Sequence, residues 1–214
     1  MNSNETLDRF IRERRSIRRY KPDIPSKTMI EAIIQCAMMA PSPSNSQPVR
    51  FFRIVSASVK SCLNQAMDKG YNNFLNAVKH HAKYKKLRNR LNYYKRFSEF
   101  MFNAPVLFAV GTLTDITGCA DMLVKENVLA GDINAYTDLD ITTGLALKGF
   151  LLKAQSMGLG TCVLTAPMMF LQDTESVMGL EHNIRITCFL TLGYADEIPP
   201  PTGRKKITEI FQEI

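Results

Sequence analysis

Apolar and polar positions follow two rhythms along this chain. Leu7, Phe10 and Ile11 recur at helical spacing, so the chain opens with a short amphipathic helix that ends at an arginine-rich turn before Pro22. Ser26 stands where a helix cap belongs, and Met29, Ile30, Ile33, Ile34 and Ala37 give the next helix one inward face to about residue 40. The stretch Pro41-Ser42-Pro43-Ser44-Asn45-Ser46-Gln47-Pro48 cannot continue a helix and is a loop. Residues 50–56 and 105–112 read as strands, the second more buried. Between them the pattern from about residue 60 to 102 is helical. Tyr84, Leu87, Leu91, Tyr94 and Met101 share one stripe, with Lys85, Lys86, Arg88 and Lys95 off it. A long helix is predicted over residues 133–157, with Leu145, Leu151, Leu152 and Ala154 inside and Gly158 as its stop. Residues 161–164 and 185–192 read as strands, and a triple proline at 199–201 leads into an extended tail.

Helices and strands are mixed, yet no regular βαβ run with glycine-rich turns appears, which favours an α+β sandwich over a doubly wound sheet. At 214 residues and 45% hydrophobic content the chain suits a single domain over 1–214. The polar opening Met1-Asn2-Ser3-Asn4-Glu5 is unlike a secretory signal, and the longest apolar run, 104–113, is too short to span a bilayer. A cytoplasmic protein with no membrane partner is expected. Cys36, Cys62, Cys119, Cys162 and Cys188 form no C-x-x-C pair and read as small apolar fillers. No metal is expected either, because the adjacent His80 and His81 project about 100° apart on a helix.

Charge changes this picture in one place. The net charge is +7, but residues 79–96 hold eight Lys and Arg and no acid, and the rest of the chain carries −1. The basic helical region at about 70–102 therefore calls for a local explanation. Four other clusters bear on chemistry. In Arg14-Arg15-Ser16-Ile17-Arg18-Arg19-Tyr20, forked guanidinium groups and a hydroxyl match phosphate oxygens, although a solvated helix end would look similar. The stiff loop bearing Ser42, Ser44, Asn45, Ser46 and Gln47 offers many hydrogen-bonding groups. It lies one helix away from the arginines, so the two meet at one end only if the first turn folds back. Gly158-Leu159-Gly160-Thr161-Cys162 permits a tight turn and a close backbone approach to something flat. Gly203-Arg204-Lys205-Lys206 is a second basic cluster, in the tail.

Together and in this order these motifs resemble the FMN-dependent nitroreductase family. The opening R-R-S-x-R-x-[FY] is present at 14–20, A-P-S-x-x-N-x-Q-P at 40–48, G-L-G-T-C at 158–162 and a strand ending L-G-Y at 192–194. The resemblance implies a three-layer sandwich, with a mixed, mostly antiparallel sheet and a tail at about 197–214 exchanged between subunits of a homodimer. It implies FMN held at its phosphate and ribityl chain by Arg14, Arg15, Ser16 and Arg18, with Arg204 and Lys206 adding to the phosphate site. Ser42, Ser44, Asn45 and Gln47 would reach FMN across the dimer interface, and the backbone at Leu164 and Thr165 would bond the isoalloxazine edge. The region at 70–102 would serve as a lid. The implied activity passes electrons from NAD(P)H through flavin N5 to a nitroaromatic, quinone or similar small acceptor by a ping-pong route. No catalytic side chain is required, because the flavin carries the chemistry.

The chain departs from many relatives in having Val49 after Gln47-Pro48, where tryptophan is frequent, and Lys148-Gly149 where Gln-Asn often stands. Flavin fragmentation, dehalogenation or dehydrogenation on the same scaffold stays open as an alternative. So does a non-enzymatic flavin- or nucleic-acid-binding module built on the basic segment with Tyr84, Tyr93 and Tyr94. The leading expectation includes no nucleic-acid partner.

Overall fold

Two apolar strands, β2 (Val106–Leu113) and β4 (Ile184–Gly193), pair antiparallel at the centre of the molecule. They are covered on both faces, which explains why their sequences read as nearly continuous apolar runs and not as alternating ones. β1 (Val49–Arg53) adds to the outer side of β2 and β3 (Gly160–Leu164) to the outer side of β4, giving the order β1-β2-β4-β3 with every pair antiparallel. The computed structural model describes residues 3–115, 122–123, 126–128 and 136–214. Before β1 come the helices α1 (Ser3–Glu13) and α2 (Lys27–Met38). Further on lie α3 (Ala57–Val78), α4 (Tyr84–Glu99), α5 (Thr137–Ser156), α6 (Ala166–Phe170) and α7 (Thr174–Met178).

The sheet divides two cores. Val106, Phe108, Val110, Leu190 and Leu192 face α2 and α5, where they meet Ile30, Ile33, Ala37, Phe150 and Ala154. Leu107, Ala109 and Phe189 face the other layer, with Leu63 and Met67 of α3 and Phe170 of α6. Between Val110↔Cys188 and Gly111↔Ile186 the register skips Thr187, a bulge that turns Ile186 into the second core while Cys188 stays in the first. The arrangement is the expected three-layer α+β sandwich.

Several local expectations hold. Ser26 caps α2, its Oγ accepting from the Met29 N–H at 3.2 Å. Gly158 follows α5 with φ +75°, the left-handed turn that stops the helix. The stretch from 60 to 102 is helical as expected, divided into two helices and a 3-10 turn (Phe100–Asn103) where residues 79–83 lack the apolar spacing to continue one rod. Others are corrected. The first strand ends at Arg53. The expected start of the long helix, at 133–135, lies outside the described residues. Leu145 faces outward at 44% exposure, since the inward stripe of α5 runs through Leu139, Thr142, Thr143, Ala146, Phe150 and Ala154. Cys162 and Cys188 are buried fillers, but Cys36 and Cys62 are exposed, and Cys119 lies outside the described residues. Among the described residues no helix is long and apolar enough to cross a membrane.

Phe150 is fully buried, stacked on Phe51 at 5.6 Å and edge-on to Phe108 at 5.8 Å. Phe150→Ala leaves a cavity where α5 meets the sheet. It is expected to destabilise the fold by about 3–5 kcal/mol, read as a lowered midpoint in urea denaturation.

Candidate functional site

The chain leaves α1 in an extended segment that lies along the start of β3. The Ile17 N–H donates to the Thr161 carbonyl at 2.9 Å, and Ser16 bridges Thr161 in parallel sense. Gly160 makes this approach possible: a Cβ there would stand 2.7 Å from Ile17 Cγ1. What approaches the second glycine of the G-L-G motif is thus the chain's own arginine segment, not a flat ligand. On the other side the segment is fastened to the stretch after β4. Glu197 Oε1 accepts from the backbone N–H groups of Arg18 at 2.5 Å and Arg19 at 3.1 Å. Tyr20 bridges Ala195, and its hydroxyl meets the Ile17 carbonyl at 2.6 Å and Thr191 Oγ1 at 2.7 Å. Burial holds the Tyr20 phenol well above its ordinary pKa, so it stays a neutral structural group.

Because extended backbone alternates its side chains, this fastening sorts the cluster. Arg14 and Arg18, and Glu197 opposing them, act electrostatically on the Cys162 thiol, and Ser16, bridged to Thr161, lies on the same side of the segment, so these residues converge beside β3. Burial nonetheless lifts Cys162 above its ordinary pKa and keeps it protonated. Arg15 turns the other way, into a groove of about 410 Å³ shared with Glu13, Gln155, Leu159 and Pro199. Its NH1 donates to the carbonyls of Arg12 and Arg14, while its buried Nε has no partner. Among the described residues none of Arg14, Arg15 or Arg18 has a carboxylate within ion-pair distance. Clustered guanidinium groups outside any ion pair, with Glu197 beside them engaged on the backbone amides, and a serine hydroxyl on the same side suit a phosphate. Arg18 also lies over the Phe97 ring of α4 at 5.1 Å, joining the cluster to the basic helix.

From Thr161 the open edge of β3 runs to Leu164 and Thr165. The Thr161 carbonyl faces outward to Ile17, and alternation turns the main-chain groups of Val163 to that same side. The Val163 carbonyl is 3.7 Å from Cys162 Sγ and the Thr165 carbonyl accepts from the Met168 N–H at 3.1 Å, so a ligand lying along this edge meets cations at one end and partly engaged main chain at the other.

The polar loop lies elsewhere. Its Pro48 carbonyl accepts from the Leu113 N–H at 3.0 Å, at the end of β2 opposite the arginines. Val49 pairs with Thr112, whereas Thr161 pairs with Leu192, which pairs with Val106. The loop is therefore about 20 Å along the strands and three strand spacings from the cluster. The first turn does not fold back to bring them together. The loop is preset: Ser44, Asn45 and Gln47 have φ of 51°, 53° and 46°, and Ser42 Oγ accepts from the Gln47 N–H at 2.9 Å. Asparagine tolerates the left-handed region, but at Ser44 and Gln47 it carries backbone strain that the surrounding loop, with its prolines and the Ser42 bond, holds in place. Arg204 and Lys206 sit in a tail that is exposed from Pro201 to Ile214; Arg204 donates only to Thr202 and Gly203, and neither residue reaches Arg14–Arg18 in the same chain. Sequence reasoning placed Tyr20 in the cluster without a role and missed Glu197 and Thr191, whose partners Arg18, Arg19 and Tyr20 lie more than 170 residues away in the chain.

The family model for the nitroreductase family matches residues 11–194. The chain belongs to the nitroreductase family. It is 25% identical over 202 residues to a 4-nitrobenzoate reductase from Pseudomonas putida, covering 90% of this chain and 87% of that one. Among solved structures, a BluB-like flavoprotein from Clostridium difficile 630 superposes with a TM-score of 0.81 at 23% identity, covering 97% of this chain and 98% of that one. An oxidised iodotyrosine deiodinase bound to FMN and 3-iodo-L-tyrosine superposes with a TM-score of 0.69 at 22% identity, covering 94% and 96%. These neighbours share the α+β sandwich with this nitroreductase-family chain.

Gly160→Val is expected to wedge Ile17 off β3 and release the arginine segment. The Ile17 amide should then exchange with deuterium at least tenfold faster in native-state hydrogen exchange, with β2 amides unchanged.

Proposed function

We propose that the chain is an FMN-dependent oxidoreductase working as a homodimer, taking electrons from NAD(P)H and passing them to a nitroaromatic, quinone or similar small acceptor. The carrying observation is the fastened segment in which Arg14, Ser16 and Arg18 converge, outside any ion pair, at the start of an open strand edge ending at Leu164 and Thr165. In this reading the phosphate sits among those groups and the main-chain groups near Leu164 and Thr165 orient the ring. Arg15 serves the phosphate only through its unpartnered Nε or by shaping the turn. When bound, FMN accepts electrons from the reduced nicotinamide at N5 and delivers them to the second substrate. The residues of this chain bind, orient and exclude water.

The separation of loop and cluster supports the dimer. One chain cannot bring Ser42, Ser44, Asn45 and Gln47 to its own arginines, whereas a two-fold axis lets each copy lend its loop to the other's cofactor. Two apolar surfaces support the same assembly. Met38, Met39, Ile141 and Leu145 are exposed on and next to α2 and α5, the helices that with β1 enclose a cavity of about 260 Å³ lined by Ile34, Met38, Val49 and Phe51. Ile207, Ile210, Phe211 and Ile214 of the tail are exposed as well, as expected of a segment that crosses to a partner carrying Arg204 and Lys206 with it.

A second reading keeps the cofactor and changes the acceptor chemistry to reductive dehalogenation, favoured by the likeness to the deiodinase complex. Assaying NADH and NADPH oxidation with a nitroarene, a quinone and an iodophenol separates the two.

The purified protein is expected to be yellow and to release FMN on denaturation. Arg18→Ala removes a charge-assisted phosphate contact of about 1.5–3 kcal/mol, so its FMN dissociation constant should rise roughly 10- to 100-fold in flavin fluorescence titrations. A colourless wild-type protein that takes up no added FMN refutes the reading.

A further inference from the structure

Helix α4 presents two adjacent rows at i, i+4 spacing: Lys85–Asn89–Tyr93, which continues to Phe97, and Lys86–Arg90–Tyr94. Together they line an open groove of about 760 Å³. The opposite face of the helix is occupied. Tyr71 of α3 donates to Asn92, and Lys95 pairs with Asp68 and Glu99. Lys95 is the sole cation of α4 in an ion pair among the described residues; Lys85, Lys86 and Arg90 meet no carboxylate. Tyr93 is 56% exposed and its ring lies 4.3 Å from Phe97, over which Arg18 is placed at 5.1 Å. A continuous path of aromatic faces thus leads from the basic groove to the arginine cluster.

We propose that this groove binds the adenosine half of a 2′-phosphorylated dinucleotide, selecting NADPH as the electron donor. The inference rests on the flavin oxidoreductase reading. Three unpaired cations within six residues exceed what an aryl carboxylate or a quinone requires. They match a ligand carrying a 2′-phosphate and a pyrophosphate. The exposed faces of Tyr93 and Tyr94 offer a stacking surface for adenine, and Asn89 between the cations and the rings offers both a donor and an acceptor to its edge. Like charges at Lys86 and Arg90, one turn apart, work against the helix unless an anion lies between them. The path through Phe97 to Arg18 sets the nucleotide on the side of the cluster from which the nicotinamide can reach the proposed flavin edge. No acid lies within residues 79–96, and Glu99 at the C-terminal end of the helix is paired with Lys95, so no acid stands among the residues lining the groove.

Calorimetric titration of the full-length protein with 2′,5′-adenosine bisphosphate and with 5′-AMP tests this independently of turnover. The bisphosphate is expected to bind at least about tenfold more tightly than AMP. Lys85→Gln/Lys86→Gln/Arg90→Gln is expected to weaken it about tenfold or more, with the FMN content of the preparation unmoved, and to raise the KM for NADPH while that for the acceptor stays put. Tyr93→Ala should weaken both nucleotides alike. Equal affinity for the two nucleotides, or a bisphosphate affinity indifferent to the triple substitution, overturns the proposal. So does tighter, salt-sensitive binding of a twelve-residue thymidine oligonucleotide lost in the same variant. Failure of the underlying reading has a different signature: a preparation without FMN that oxidises neither NADH nor NADPH, whatever the titration shows.

Discussion

The site depends on one main-chain hydrogen bond and the pairing around it, the Ile17 N–H to the Thr161 carbonyl. A segment with four arginines in six residues has strong reasons to remain solvated and mobile. Here the backbone is held from both sides, by β3 through Thr161 and by Glu197 through the amides of Arg18 and Arg19. The carboxylate bonds peptide groups and forms no ion pair with a guanidinium group, so it fixes the segment while leaving the forked donors open. The cations are left oriented and unpaired, the condition under which they attract an anion most strongly.

That fastening also decides which residues act together. Extended geometry puts Arg14, Ser16 and Arg18 on one side and Arg15 on the other, a division that a list of four phosphate-binding candidates cannot contain. The proposed two-fold assembly rests on the same sheet: loop and cluster lie at opposite ends of the strands, so in that proposal each copy holds half of two sites and the whole of none. The exposed tail and the apolar rim around α2 and α5 then have a common explanation as surfaces awaiting a second chain.

Much of the fold was legible from the sequence because it rests on short-range signals. Ser26 in front of an apolar stripe announces α2, Gly158 announces the end of α5, and β2 and β4 are too apolar for anything but an interior sheet. Leu145 was misassigned because α5 is apolar on more than one face, and helical period alone cannot say which face meets the sheet. The site was legible as motifs and illegible as geometry. Gly160 was visible as a position of close approach, but its partner Ile17 is 143 residues away and emerges only when the segment docks. Glu197 carries no local pattern at all.

The loop that precedes β1 holds Ser44, Asn45 and Gln47 in the left-handed region before any second chain is present. A flexible loop would have to be ordered at the moment of encounter, and the entropy lost would be subtracted from the strength of association. Here that ordering belongs to folding, so in the proposed dimer two subunits would meet as nearly rigid halves and lose little disorder on docking. On that proposal the bent backbone at residues 44–47 is a preparation for a meeting, made by each molecule on its own.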